Sequence, residues 1–333
     1  MSALLMVLVL LAPTQAVTSQ AGGTSLPPFA RVQSEVNLFI ELHNHLQAES
    51  RAAEDSLPEY SAEVKAYREA RELAKDPAVW QVVNDACIAG PDIAGIGKVT
   101  GHLPAALAAA DQEAVRKMIG ALESAWPRFQ AGEAVERNRS LQRAWSKVLH
   151  VWGMVEERLL TTLYEKFAFQ PIDAKITVYP VIDANELGAS GKTAKGYYLI
   201  VPVGRLPNLV IIEEILHEVT HVLDDHQPPG SSTFLMKLRQ QGAGVDKQAL
   251  DVFTHGLIEW NAGELIRKSV RADYKPLLNT SPDLRAPIEG YVPTYQGPWV
   301  AYLEGKIPAD DAIKGMISAL KPASAPAQAR SGS

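Results

Sequence analysis

Residues 209–225 read Leu-Val-Ile-Ile-Glu-Glu-Ile-Leu-His-Glu-Val-Thr-His-Val-Leu-Asp-Asp, and no other stretch limits the fold as strongly. Ile211, Ile212, Ile215, Leu216, Val219, Val222 and Leu223 recur at spacings of three and four, which predicts a helix with a wide buried stripe. Asn208, after Pro207, is placed to cap its start, and Pro228-Pro229-Gly230 stops it soon after His226. On such a helix His217 and His221 lie one turn apart on the same face. Glu218 then stands about 100° round the axis from His217.

His217-Glu218-Val219-Thr220-His221 is the His-Glu-x-x-His pattern of zinc hydrolases. Two imidazoles on one face can reach a single ion, and the adjacent glutamate is where a general base takes a proton from zinc-bound water. A third protein ligand is required, with the fourth position left to solvent. The extended pattern His-Glu-x-x-His-x-x-Gly-x-x-His does not fit: Asp224 occupies the glycine position, Gln227 the third histidine position, and His226 is one residue out of register. The other common solution is a glutamate from a following helix, and a helix over 247–270 offers Glu259 and Glu264. Glu264 continues the row Phe253, Leu257, Trp260, where a carboxylate is costly to bury unless it is paired or binds a metal. Gly263 beside it lets the two helices approach closely. Glu259 shares a face with His255 at i,i+4, where an ion pair accounts for both. Glu264 is therefore the preferred third ligand, with Glu259 as the alternative.

The remaining chain sets the context. With 333 residues there is room for one large domain or two smaller ones, and a net charge of -6 offers no basic surface for nucleic acid. Residues 1–21 read as a secretory signal peptide, with an apolar run too short to span a bilayer, so the mature protein is expected to be exported (periplasmic or secreted) without stable membrane insertion. Cys87, the single cysteine, sits among apolar residues and supplies neither a disulfide framework nor a nucleophile. Residues 22–170 are dominated by helical periodicity, with stretches at 60–75, 103–122 and 139–164 and breaks at 90–91, 126–127 and 131–132. His43 and His45, two apart, point to different helix faces and read as structural. The region 171–320 carries two β-branched and aromatic runs, 176–182 and 196–203, and then the motif helix. Pro180 and Pro202 suggest a sheet edge or an early end to the pairing. Between the runs, Gly-Ala-Ser-Gly-Lys-Thr at 188–193 imitates a phosphate-binding loop, but Glu186 stands where the first glycine belongs and a strand follows, so nucleotide binding is rejected. The Pro, Ala, Ser and Gly-rich tail at 321–333 is expected to be disordered.

Together, the motif and Ala262-Gly263-Glu264 on the next helix resemble the gluzincin group of zinc metallopeptidases, in particular its exported bacterial members; the resemblance covers residues 174–270. It implies a zincin-like α+β fold, mostly helical, with a small antiparallel or mixed sheet before the active-site helix and an edge strand, here 196–203, that aligns a peptide or protein substrate. It also implies Zn2+ bound by His217, His221 and Glu264, with Glu218 as general base in peptide-bond hydrolysis. One position departs from the group: Lys268 stands four residues after Glu264, where relatives carry an Asp that orients a histidine. That carboxylate must then come from Asp224, Asp225 or Glu214. His255, Tyr291 and Tyr295 are candidate oxyanion donors. Two readings from other classes stand beside this one. One is an exported, non-catalytic binding protein with a structural or silent metal site; the other is a helical interaction scaffold, favoured if the strands do not appear beside the motif helix.

Overall fold

Strands that are apolar along nearly their whole length belong in a sheet covered on both faces, and this is where the two runs lie. The computed structural model describes residues 31–320 except 53–57, 91, 173–174, 184–188 and 205; the expected leader at 1–21 and tail at 321–333 fall outside the described residues. The sheet comprises β1 (Arg31–Ser34), β2 (Lys175–Val181), β3 (Ala189–Thr193) and β4 (Gly196–Pro202), in the order β1-β2-β4-β3. β1 and β4 run parallel to β2, with Val178 opposite both Ser34 and Leu199, whereas β3 runs antiparallel to β4, with Ser190 opposite Leu199. The two expected strands therefore lie side by side, and the connector contributes a third. β1 reads Arg-Val-Gln-Ser, too short and polar to announce a strand.

Two expectations about edges need correcting. Residues 196–203 do not form the edge, because β3 folds back over β4 through a tight turn that ends at Gly196, where φ is 121°. Pro180 sits in an interior strand opposite Val201; β1 stops at Ser34, before reaching it, so the missing N–H costs no ladder bond on that side.

Alternate residues of the sheet feed two cores. Tyr179, Val181, Tyr198 and Ile200 face α1 (Leu38–Arg51), α2 (Ser61–Leu73), α3 (Ala78–Ala89), α4 (Ile93–Gly97) and α5 (Ala109–Gly132). Ile176, Val178, Leu199 and Val201 face α6 (Ala134–Phe167), α7 (Asn208–Asp225), α8 (Phe234–Gln241), α9 (Lys247–Ser269), α10 (Leu277–Thr280) and the last helix, Ala309–Leu320. The cores part near residue 134, so from Leu141 onward α6 packs with the motif helix, while its first turn still meets the helices before it. The break expected at 126–127 does not occur, and Pro127 lies inside α5. The Trp126 ring centre lies 4.2 Å from that of Phe39, tilted against it, and Phe129 is fully buried, so packing outweighs the lost hydrogen bond and the ring clash.

The two halves are also joined by buried polar groups. Glu41, wholly buried, accepts from the Ile182 amide at 2.8 Å and from Arg137 at 2.5 Å, and His45 lies 3.3 Å from Asp183. His43 meets the Tyr67 hydroxyl at 2.8 Å, and burial pushes its pKa down to about 3. Cys87 is fully buried. Among the described residues no helix is long and apolar enough to cross a membrane.

Candidate metal centre

The apolar stripe of α7 is buried against the sheet, α6 and α9, which leaves its histidine face directed at α9. Asn208 is the first helical residue and not the cap. The Pro207 carbonyl instead accepts from Val210 and Ile211 at 2.9 and 3.1 Å, and no side chain caps the start. His217 and His221 turn their Nε2 atoms toward each other, 3.1 Å apart. α9 begins at a capping Asp246, which accepts from the Ala249 amide, and it carries His255 to the same point. One nitrogen from each of His217, His221 and His255 lies within 4.8 Å of the others. His217 is buried, His221 half-buried and His255 exposed, so the cluster opens to solvent at His255. Nitrogens sharing a tetrahedral ion at ~2.1 Å are about 3.4 Å apart, so the donor type and the separation of the α7 pair suit one divalent ion.

Glu259 stands about 40° round α9 from His255. Its Oε2 is 2.5 Å from His217 Nδ1, and both groups are buried. The charge of a carboxylate there favours a proton on Nδ1, the orienting role expected of Asp224, Asp225 or Glu214. Asp224 instead accepts from Arg239 at 2.5 Å.

Glu264 is not brought to the histidines. Nine residues after His255 it points about 180° away, where it accepts from Arg267 Nε and Nη2 at 2.9 and 2.7 Å. That pairing offsets the burial cost that had suggested a metal. Leu257, Ile258, Trp260, Ala262, Leu265 and Ile266 are all buried, so α9 is covered nearly all round and burial does not reveal which face meets α7. Gly263 does permit the close approach: a Cβ there would lie 2.7 Å from Glu213 Oε1 and 2.5 Å from Pro276 Cβ. Tyr295, fully buried, donates to the Phe253 carbonyl at 2.9 Å, and Tyr291 packs edge-on against the Phe253 ring, so both serve the core. His255 and Glu259 at i,i+4 were the visible signal of this face of α9, but the spacing offered Glu259 only as the alternative ligand and His255 only as a candidate oxyanion donor.

The electrostatics separate the three imidazoles. Burial, then its two histidine neighbours, lowers His221 to about 3, and burial followed by His217 lowers His255. Both are neutral near pH 7 and offer lone pairs. Burial would also lower His217, but the Glu259 carboxylate, helped by Glu218 and Glu214, overrides it and holds His217 above the ordinary imidazole value. Glu218 is 7 % exposed and close enough to His217 to act on its charge. One turn earlier lie two buried acids. Burial, then Glu259, raises Glu214 to about 9; burial raises Glu213 to about 8 even though Tyr274 and the Leu277 amide donate to it.

No known protein family, curated protein or solved structure matches the chain.

Proposed function

We propose that the chain is an exported zinc-dependent hydrolase of peptide bonds in which His217, His221 and His255 hold the ion and Glu218 is the general base. The observation that carries this reading is the convergence of three imidazoles, two from the motif helix and one from α9, with Glu259 behind His217. A divalent ion bound there supplies Lewis acidity toward a carbonyl oxygen and lowers the pKa of water. Glu218, beside the cluster on α7, takes the proton of the attacking water and returns it to the departing amine. Glu259 fixes the His217 tautomer. His255, exposed, marks the side from which substrate enters. The likeness to the gluzincin group supports peptide as substrate, as does a mixed sheet before the motif helix with β3 at its edge. On this reading the chain departs from the group at the third ligand, a histidine in place of Glu264. Export rests on the leader-like composition of residues 1–21.

The test is Glu218→Gln. Hydrolysis of a peptide library should fall roughly 10²–10⁴-fold while zinc content is unchanged. Retained hydrolysis removes Glu218 from its role, and a wild-type protein that binds zinc but cleaves nothing favours the non-catalytic metal site.

A further inference from the structure

The two helices that carry the histidines are poor in cations. α7 holds Glu213, Glu214, Glu218, Asp224 and Asp225 but neither Lys nor Arg, and between Gln248 and Ile266 α9 has neither as well. A guanidinium reaches this face from α8 instead: Arg239 Nη2 donates to Asp224 Oδ2 at 2.5 Å. Asp224 stands seven residues after His217, back on the same face of α7, and three after His221, a neighbour on the helix surface. Arg239 therefore lies about one turn of α7 from the imidazoles.

Two features separate Arg239 from an ordinary surface arginine. Its anchor is buried: the Asp224 side chain is 1 % exposed and holds the guanidinium in place, while the Arg239 side chain is 41 % exposed and open to a ligand. The contact also engages a single nitrogen, and Nε and Nη1 make no hydrogen bond among the described residues. A guanidinium presents paired donors that match the two oxygens of a carboxylate. Its direction toward the histidines shows in the electrostatics. Burial and the two histidine neighbours lower His221 most, Arg239 adds to them, and the same charge acts on Asp225, one turn beyond His221.

We propose that Arg239 is a specificity-determining residue of the metal centre, the unengaged edge of its guanidinium receiving a carboxylate of the peptide substrate. On the hydrolase reading, which this assignment rests on, the substrates are peptides with a carboxylate within one or two residues of the bond that is cleaved. One helical turn, about 5.4 Å, is spanned by one to two extended residues at about 3.5 Å each. Elsewhere along α7 the acids repel an anion, so Arg239 is where such a group settles.

The experiment measures binding by calorimetry to the full, zinc-loaded chain carrying Glu218→Gln, so that the ligands survive. Three are compared: acetyl-alanylphenylalanine, its C-terminal amide, and acetyl-alanylglutamic acid amidated at its C terminus. A carboxylate-bearing ligand should bind about tenfold tighter than the uncharged amide, as expected for a charged hydrogen bond. Preference for the first assigns the group to a free C terminus, and preference for the third to an acidic side chain. Adding Arg239→Gln together with Asp224→Asn leaves no buried charge unpaired, and it should bring the preference to about one. A merely structural Arg239 would weaken all three ligands alike and leave the preference standing, as would a carboxylate bound by zinc alone; either result overturns the proposal, as does equal binding of the three or no saturable binding. Wild-type protein assayed on the same ligands separates the two readings. Cleavage without the preference overturns the role of Arg239 and keeps the hydrolase, whereas the preference without cleavage of any peptide removes the hydrolase and keeps Arg239 as a carboxylate anchor.

Discussion

Glu259→Gln tests the arrangement behind the cluster, because it keeps the volume of the side chain and removes the charge 2.5 Å from His217 Nδ1. Two effects follow, and pH separates them. In the ion-free protein Glu259 holds His217 protonated above the ordinary imidazole range, so binding an ion to Nε2 must expel a proton. Wild-type affinity should therefore climb about tenfold per pH unit through neutrality, for as long as that proton is present. Without the carboxylate the imidazole gives up its proton at lower pH, and the climb should level off near or below pH 6.5. At pH 8.5, where proton competition is weakest, the remaining difference is the loss of ligand basicity and orientation, about 10–100-fold for such a partner. Chelator-competition titrations with zinc from pH 6 to 8.5, with proton release measured in two buffers, read both effects. Identical pH slopes and affinities in wild type and variant would refute the role given to Glu259.

Two further outcomes concern the scaffold. Gly263→Ala should destabilise by about 1–3 kcal/mol, since the new methyl meets Pro276 and Glu213 at 2.5 and 2.7 Å; Gly120→Ala on α5, with nothing within 4 Å, should be neutral or stabilising by up to about 1 kcal/mol, both read by chemical denaturation. His43 is fully buried with its pKa lowered to about 3, so the folded protein refuses a proton that the unfolded chain takes up near pH 6.5. Its contribution is complete above pH 6.5 and falls by about 2 kcal/mol on going to pH 5. His43→Gln should flatten the stability profile by that amount, and an unchanged acid limb would contradict it.

How much of this was legible in the sequence depended on whether local periodicity decided the matter. α7 and its histidine pair were, because the 3.6-residue repeat alone puts His217 and His221 on one face and the apolar residues on another. Gly263 was also legible as a point of close approach. The third corner was not: residues 253–266 of α9 are almost all buried, and the azimuth that faces α7 is chosen by tertiary packing. Glu264 satisfied its burial cost locally with Arg267, a pairing three residues away that served as well as a metal would have. The strands at 176–182 and 196–203 were visible from composition, but their parallel pairing was not, since it depends on β3 and β1. Pro127 gave a false break because the packing of α5 offsets the about 3 kcal/mol that a proline costs inside a helix.

His255, and not Glu264, is proposed to complete the site with His217 and His221. Zinc content of purified protein after equilibration with a limiting chelator tests it directly, in wild type, His255→Ala and Glu264→Gln. Wild type and Glu264→Gln should keep their zinc and His255→Ala should lose it. Zinc retained by His255→Ala and lost from Glu264→Gln would contradict it.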